Sequence, residues 1–289
     1  MAKRQRRDET NVIEIAITGG LGNQMFQYAA ARALAMKTDA DLWLDLGFYR
    51  SGRHRAFELS AFPEVGAHSE TREHGLMRRF SRKLGLAGSR FPVYREPHFH
   101  TDPEFFHLKP PVRLEGYFQS VDYFSEYGPQ IRRELTPEPA ADRTSLALAD
   151  TAEDACALHV RRGDYVTNAR AKATYAECSA DYYRAAIDML PDNTTVMVFS
   201  DDLEWARKNL PAIRKLVFVG NGAPRPGLAD LWLMSLARHH IIANSSFSWW
   251  GAWLAGPGRG LTIAPVRWFN DPAIIDDGLT ADGWLRLPN

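Results

Sequence analysis

The amino-acid sequence predicts an α/β protein built on parallel sheets, and three observations carry that expectation. First, the β-branched run from Val12 to Ile17 breaks at a glycine-rich turn, Gly19 to Gly22. An alanine-rich stretch from Asn23 to Met36 then reads as a helix, and an apolar strand follows at 42–46, which makes a β-loop-α-β unit. Second, apolar strands are expected at 155–160, 194–200, 215–220, 239–243 and 260–264, with helices between them at 179–190, 202–210, 227–238 and 245–255. Strict alternation of that kind argues for a parallel sheet covered by helices on both faces. Third, the polar segment from Thr136 to Arg143 contains two prolines and reads as an interdomain connection. The expected organisation is a disordered basic tail at 1–11, an N-terminal domain at 12–140 and a C-terminal domain at 141–289. The stretch from about 50 to 135 is rich in aromatics and prolines and has no regular period.

Composition narrows the class further. The 289 residues suffice for two domains of ordinary size, and a hydrophobic share of 45% supplies their cores. With 35 basic and 35 acidic residues the formal charge is zero, so the basic surplus of a nucleic-acid binder is missing. Cys156 and Cys178 are too few for a disulfide framework or a zinc site and read as reduced thiols. No run of about 18 apolar residues offers a membrane span, and the basic N-terminus lacks the apolar stretch of a signal peptide. A cytoplasmic location is expected. Leu76, Met77, Phe80 and Leu84 recur at helical spacing beside Arg78, Arg79, Arg82 and Lys83. That segment suits peripheral contact with an anionic membrane surface. A solvated helix packed on the N-terminal domain is the slightly favoured alternative. The oligomeric state is not legible.

Polar residues concentrate where the expected strands end. His159, Arg161 and Asp164 follow the first strand of the second half, Asp201 and Asp202 the second, and Asn221 with Gly222 the third. Asn244, Ser245 and Ser246 follow the fourth, and 265–268 the fifth. The strand ends of a parallel sheet share one rim, and open α/β folds bind ligands there. Alternation sends only one of Arg161 and Arg162 into that crevice. A guanidinium offers forked donors suited to a pyrophosphate and offsets charge on a departing phosphate oxygen. Asp164 can orient the arginine or accept a proton, and His159 can donate to a phosphate or tune Arg161. One of Asp201 and Asp202 suits the amine and N1–H edge of a guanine, and the other suits a helix cap. Ser245 precedes the apolar stretch from Phe247 to Leu254, whose N-terminus offers N–H groups to an anion. The tryptophans of that stretch read as core.

Two lookalikes are excluded. Taking Gly20 and Gly22 as the first pair of a dinucleotide fingerprint puts Met25 at the third glycine, and starting from Gly19 puts Leu21 at the second. The turn can still present backbone N–H groups and Asn23 to a ligand. Asp39 and Asp41 precede a strand, the wrong end for a metal–nucleotide site, so they read as a loop.

Four segments together resemble the bacterial and animal α-1,2-fucosyltransferases of glycosyltransferase family 11: GGLGNQMFQYA at 19–29, HVRRGDY at 159–165, FSDDLEW at 199–205 and HIIANSSFSWW at 240–250. They run in the family's order over most of the chain. The resemblance implies a GT-B fold, two Rossmann-like domains facing across a cleft with GDP-fucose on the C-terminal one. It implies inverting transfer from GDP-β-L-fucose to the 2-hydroxyl of a galactose-terminated glycan, with no cofactor and no required metal. By motif, Arg161 binds the β-phosphate, Asp201 or Asp202 reads guanine, and Asn244, Ser245, Ser246 and Phe247 frame the pyrophosphate. Gly20, Gly22 and Asn23 reach the donor from the other domain. The His-x-Arg element also occurs in fucosyltransferases of other linkages, including α-1,6 and protein O-fucosylation. No motif names a catalytic base, and Asp164 is the candidate. A non-catalytic carbohydrate- or nucleotide-binding module is the alternative from outside the enzymes.

Overall fold

The computed structural model describes residues 10–51, 56–72, 90–139, 143–163, 166, 168–212, 214–220, 227–276 and 278–289. Asp164, the basic segment 76–84, and Asn221 with Gly222 lie outside the described residues. The chain divides into two compact units, Met1–Leu135 and Thr136–Asn289.

In the first unit, strand β1 (Val12–Ala16) leads through the glycine turn into helix α1 (Leu21–Thr38) and strand β2 (Asp41–Asp45). A short helix α2 (Pro63–His68) and strands β3 (Glu70–Arg72), β4 (Val93–Arg95) and β5 (Val112–Glu115) follow, then helix α3 (Gly128–Glu134). All strand pairs are parallel, in the order β3-β2-β1-β5-β4. The expected helix began at Asn23, whereas α1 begins at Leu21. Gly22 is therefore a buried residue of its first turn, and only Gly19 and Gly20 remain in the loop. The aromatics that made 50–135 look irregular form core: Phe105, Phe118 and Tyr123 are buried and pack ring against ring at 4.7 to 5.5 Å. Buried Glu134 ties α3 to α1, accepting from Tyr28 Oη at 2.7 Å and pairing with Arg32 at 3.0 Å. Burial opposes its charge, but Arg32, Gln130 and Tyr28 outweigh that and hold its pKa below the ordinary carboxylate value.

The second unit opens on helix α4 (Arg143–Glu153) and strand β6 (Cys156–Val160), followed by helices α5 (Ala169–Thr174) and α6 (Ala180–Asp188). Strand β7 (Val196–Ser200), helix α7 (Leu203–Asn209), strand β8 (Leu216–Phe218) and helix α8 (Gly227–Leu236) come next. Strand β9 (His239–Ile241), helix α9 (Ser246–Leu254), strand β10 (Thr262–Pro265) and strand β11 (Leu285–Leu287) complete it. The six parallel strands run β11-β10-β9-β6-β7-β8. Alternate residues of each strand feed opposite faces. Cys156, Leu158 and Val160 pack with Tyr182, Tyr183 and Ile187 of α6, whereas Ala157, Met197 and Phe199 pack with Trp232 and Leu233 of α8. Helices thus cover both faces, as the near-continuous apolar strands require. Trp249 and Trp250 are core, with Trp249 Nε1 donating to the Leu279 carbonyl at 2.7 Å. Cys156 and Cys178 are buried and unbridged, and burial pushes both thiols up. Among the described residues no helix is long and apolar enough to cross a membrane.

Candidate active site

Counting outward from β6, strands β7 and β8 lie on one side and β9, β10 and β11 on the other. This order has its topological switch point between β6 and β9, where the connections leave in opposite directions and open a crevice beyond the strand ends. The residues that follow these two strands are the ones singled out from sequence. Behind β6 come Arg161 and Arg162, and behind β9 come Asn244, Ser245 and Ser246.

The two arginines have different employment. The Arg162 guanidinium stacks 4.4 Å over the Trp205 ring, forms an ion pair with Glu177 and lies 3.4 Å from Asp202. Arg161 pairs through Nη1 with Asp201 Oδ2 at 2.8 Å. Alternation separates them, but Glu177 and Trp205 as partners are not legible, because Glu177 lies in the loop before α6 and Trp205 on α7. Asp202 takes the cap role, accepting the Trp205 N–H at 3.0 Å at the start of α7, while its own N–H donates to Ser200 Oγ at 2.8 Å.

On the β9 side, Asn244 is buried and its side-chain amide donates to the backbone carbonyls of Ala176 and Trp268. It therefore ties the loop before α9 to two other segments. Ser245 occupies the N-cap of α9 in extended conformation, and its hydroxyl makes no capping bond. A hydroxyl and backbone N–H groups at a helix N-terminus are groups suited to an anion. Phe247, from the first turn of α9, stands 5.9 Å from the His159 ring, centroid to centroid.

His159 is buried on the same face as Phe199, and its Nδ1 has no hydrogen-bond partner among the described residues. Burial and then the Arg161 charge press its pKa down to about 4, so the ring is neutral at pH 7. His240, whose Nε2 lies 2.8 Å from the Met234 carbonyl, is likewise pushed down to about 4, chiefly by burial. An unfolded histidine titrates near about 6.5. Between these values the unfolded chain binds protons that the folded chain does not, so stability is lost as pH falls from about 6.5 through about 4. Each buried ring contributes on the order of 3 kcal/mol to that loss once it is complete. Urea midpoints taken from pH 7 to pH 4.5 are expected to fall steadily, and His159→Gln to flatten part of the slope. A level wild-type profile would refute the assignment.

In the first unit the glycine turn is held by side chains of α1. Gly19 has φ 79°, and a Cβ there would sit 2.8 Å from Asn23 Nδ2. Gln24 donates to the carbonyls of Gly19 at 3.2 Å and Ala56 at 2.9 Å, and Gln27 bonds Thr18 and the Gly116 carbonyl, each at 2.9 Å. Asn23 Oδ1 accepts from Gln119 at 2.8 Å. The glutamines of GGLGNQMFQ are thus turn-holding residues, a role that spacing alone did not reveal. Among the described residues no group of three or more His, Cys, Asp or Glu side chains stands together to hold a metal.

The model of glycosyl transferase family 11 matches residues 103–287. The chain belongs to this family. It is 32% identical to an alpha-1,2-colitosyltransferase of Escherichia coli, over 96% of this chain and 99% of that one. It is 28% identical to galactoside alpha-(1,2)-fucosyltransferase 1 of Lagothrix lagotricha, over 82% of this chain and 64% of that one. Among solved structures, a variant of Arabidopsis thaliana FUT1 in complex with GDP shares the fold, with a TM-score of 0.50 and 14% identity over 91% of this chain and 72% of that one. This family 11 glycosyltransferase has the GT-B class of fold, each unit carrying its own parallel sheet.

Proposed function

We propose that the enzyme transfers L-fucose from GDP-β-L-fucose to the 2-hydroxyl of a galactose-terminated glycan with inversion and without a metal. One observation carries the donor reading: Arg161 and the N-terminus of α9 follow β6 and β9, the two strands that flank the switch point. Arg161 offers a fixed cation to the β-phosphate, and Ser245, Ser246 and Phe247 border the diphosphate. In the reaction the acceptor oxygen attacks the anomeric carbon opposite GDP, the bond from that carbon to the β-phosphate oxygen breaks, and Arg161 offsets the charge left on GDP. The acceptor proton passes to a base or to the departing phosphate. Asp164, the candidate base, lies outside the described residues.

The colitosyltransferase relative supports a second donor reading, because its 32% identity extends over 96% of this chain. Colitose is fucose without its 3-hydroxyl, so the two donors differ by one polar group. A panel of β-galactosides is therefore assayed with GDP-fucose and with GDP-colitose, reading GDP release and, by methylation analysis, the linkage formed. GDP-fucose is expected to give a product 2-linked on galactose. Preference for GDP-colitose would establish the second reading, a product linked elsewhere would sink both, and no GDP release with any acceptor would leave a binding module.

A further inference from the structure

Asp201 was one of two candidates for reading the guanine base, and its surroundings point elsewhere. It follows β7, beside the turn that leaves β6, and both its carboxylate oxygens face that turn. Oδ2 lies 2.8 Å from Arg161 Nη1, and Oδ1 accepts the backbone N–H of Arg162 at 2.8 Å. A Cβ on Gly163 would stand 2.6 Å from Oδ2, so the third residue of the turn has to lack a side chain for the carboxylate to sit there. Three consecutive residues are fitted around one carboxylate. A guanine edge presents its amine and N1–H side by side and asks for both oxygens together. Here one oxygen is turned to a guanidinium and the other to a peptide N–H.

We infer that Asp201 is a positioning residue that aims the Arg161 guanidinium and does not read the base. The inference rests on the proposed role of Arg161 at the diphosphate. A donor that stabilises developing charge must be held in place before the charge appears, and an arginine side chain has several rotatable bonds to restrain. The carboxylate restrains the far end of that side chain, and the Arg162 N–H fixes the carboxylate in turn. Asp201 brings negative charge near a diphosphate, so its contribution is to the transition state and not to ground-state affinity.

The test is a double-mutant cycle with two readouts. Transfer rates and calorimetric affinities for GDP and for inosine diphosphate, which lacks the guanine amine, are measured for wild type, Asp201→Asn, Arg161→Ala and the double variant. Asp201→Asn is expected to lower kcat roughly 10- to 100-fold, the scale of a misplaced catalytic group, with GDP affinity unchanged or improved. In the Arg161→Ala background the same substitution is expected to change the rate less than about twofold, because the group it acts through is gone. The preference for GDP over inosine diphosphate should match wild type in every variant. Gly163→Ala, which pushes the carboxylate off the arginine without removing its charge, should reproduce the loss in kcat and serves if Asp201→Asn does not fold. A full effect of Asp201→Asn in the Arg161→Ala background overturns the inference, as does loss of the preference for GDP. A wild-type protein that binds no GDP overturns the proposed function and this inference with it, whereas GDP binding with an additive cycle overturns the role of Asp201 alone.

Discussion

Arg161→Ala is expected to lower kcat/KM for the sugar nucleotide by about 10²- to 10³-fold while the melting temperature stays within a few degrees of wild type. The two halves of that expectation come from different magnitudes. A donor aimed at charge that develops on a leaving group contributes roughly 3–4 kcal/mol to the barrier. The pair that Arg161 makes with Asp201 is partly exposed, 20% and 27% at the side chains, and such pairs contribute about 0–1 kcal/mol to folding. Catalysis therefore loses far more than stability. Arg161→Lys keeps the charge and loses the planar fork, so it should fall between the two. Initial rates of GDP release across a donor titration, with a thermal melt of each variant, check both halves. Near-normal turnover in Arg161→Ala would remove the arginine from the mechanism, and a collapsed melt would make it a structural residue.

The second half of the chain was legible because each central strand is buried on both faces. Cys156 to Val160 and Val196 to Ser200 are almost unbroken apolar runs, and a turn or helix signal follows each. Their ends could be placed on one rim, since parallel strands all end on the same side. What the sequence could not supply was which strands are neighbours. The crevice lies between β6 and β9, two strands separated by β7 and β8 in the chain. The first half resisted for a different reason. Strands β3 and β4 are three residues long, lie at the sheet edges and carry Glu70, Arg72 and Arg95, so no period emerges. Side-chain pairing across the chain was also out of reach. Nothing local in HVRRGDY says that Asp201 closes around it, and nothing near Glu14 says that an arginine 99 residues away neutralises it.

That arginine supplies the largest expected effect on stability. Arg113 is buried in β5 and bonds Glu14, Asp45 at 2.8 Å and Glu115 at 2.9 Å. Burial works against its charge, but the hydrogen bonds and charges of Glu115, Glu14 and Asp45 outweigh it and raise its pKa above the ordinary value. Glu14 and Asp45 are themselves buried, on the adjacent strands β1 and β2. Arg113→Met fills most of the volume and leaves two buried carboxylates without their cation, which costs about 3–5 kcal/mol. Urea titrations of the variant against wild type check that loss, and an unchanged midpoint would refute it. Adding Glu14→Gln should recover part of the loss, since it removes one of the stranded charges. The damage should also reach the glycine turn: Asp45 accepts the Gly47 N–H at 3.0 Å, and its carbonyl accepts the Ile17 N–H at 3.0 Å, two residues before Gly19. Faster amide exchange at Ile17 and Gly47 in a still-folded Arg113→Met variant would show it, and unchanged exchange would confine the damage to the carboxylates.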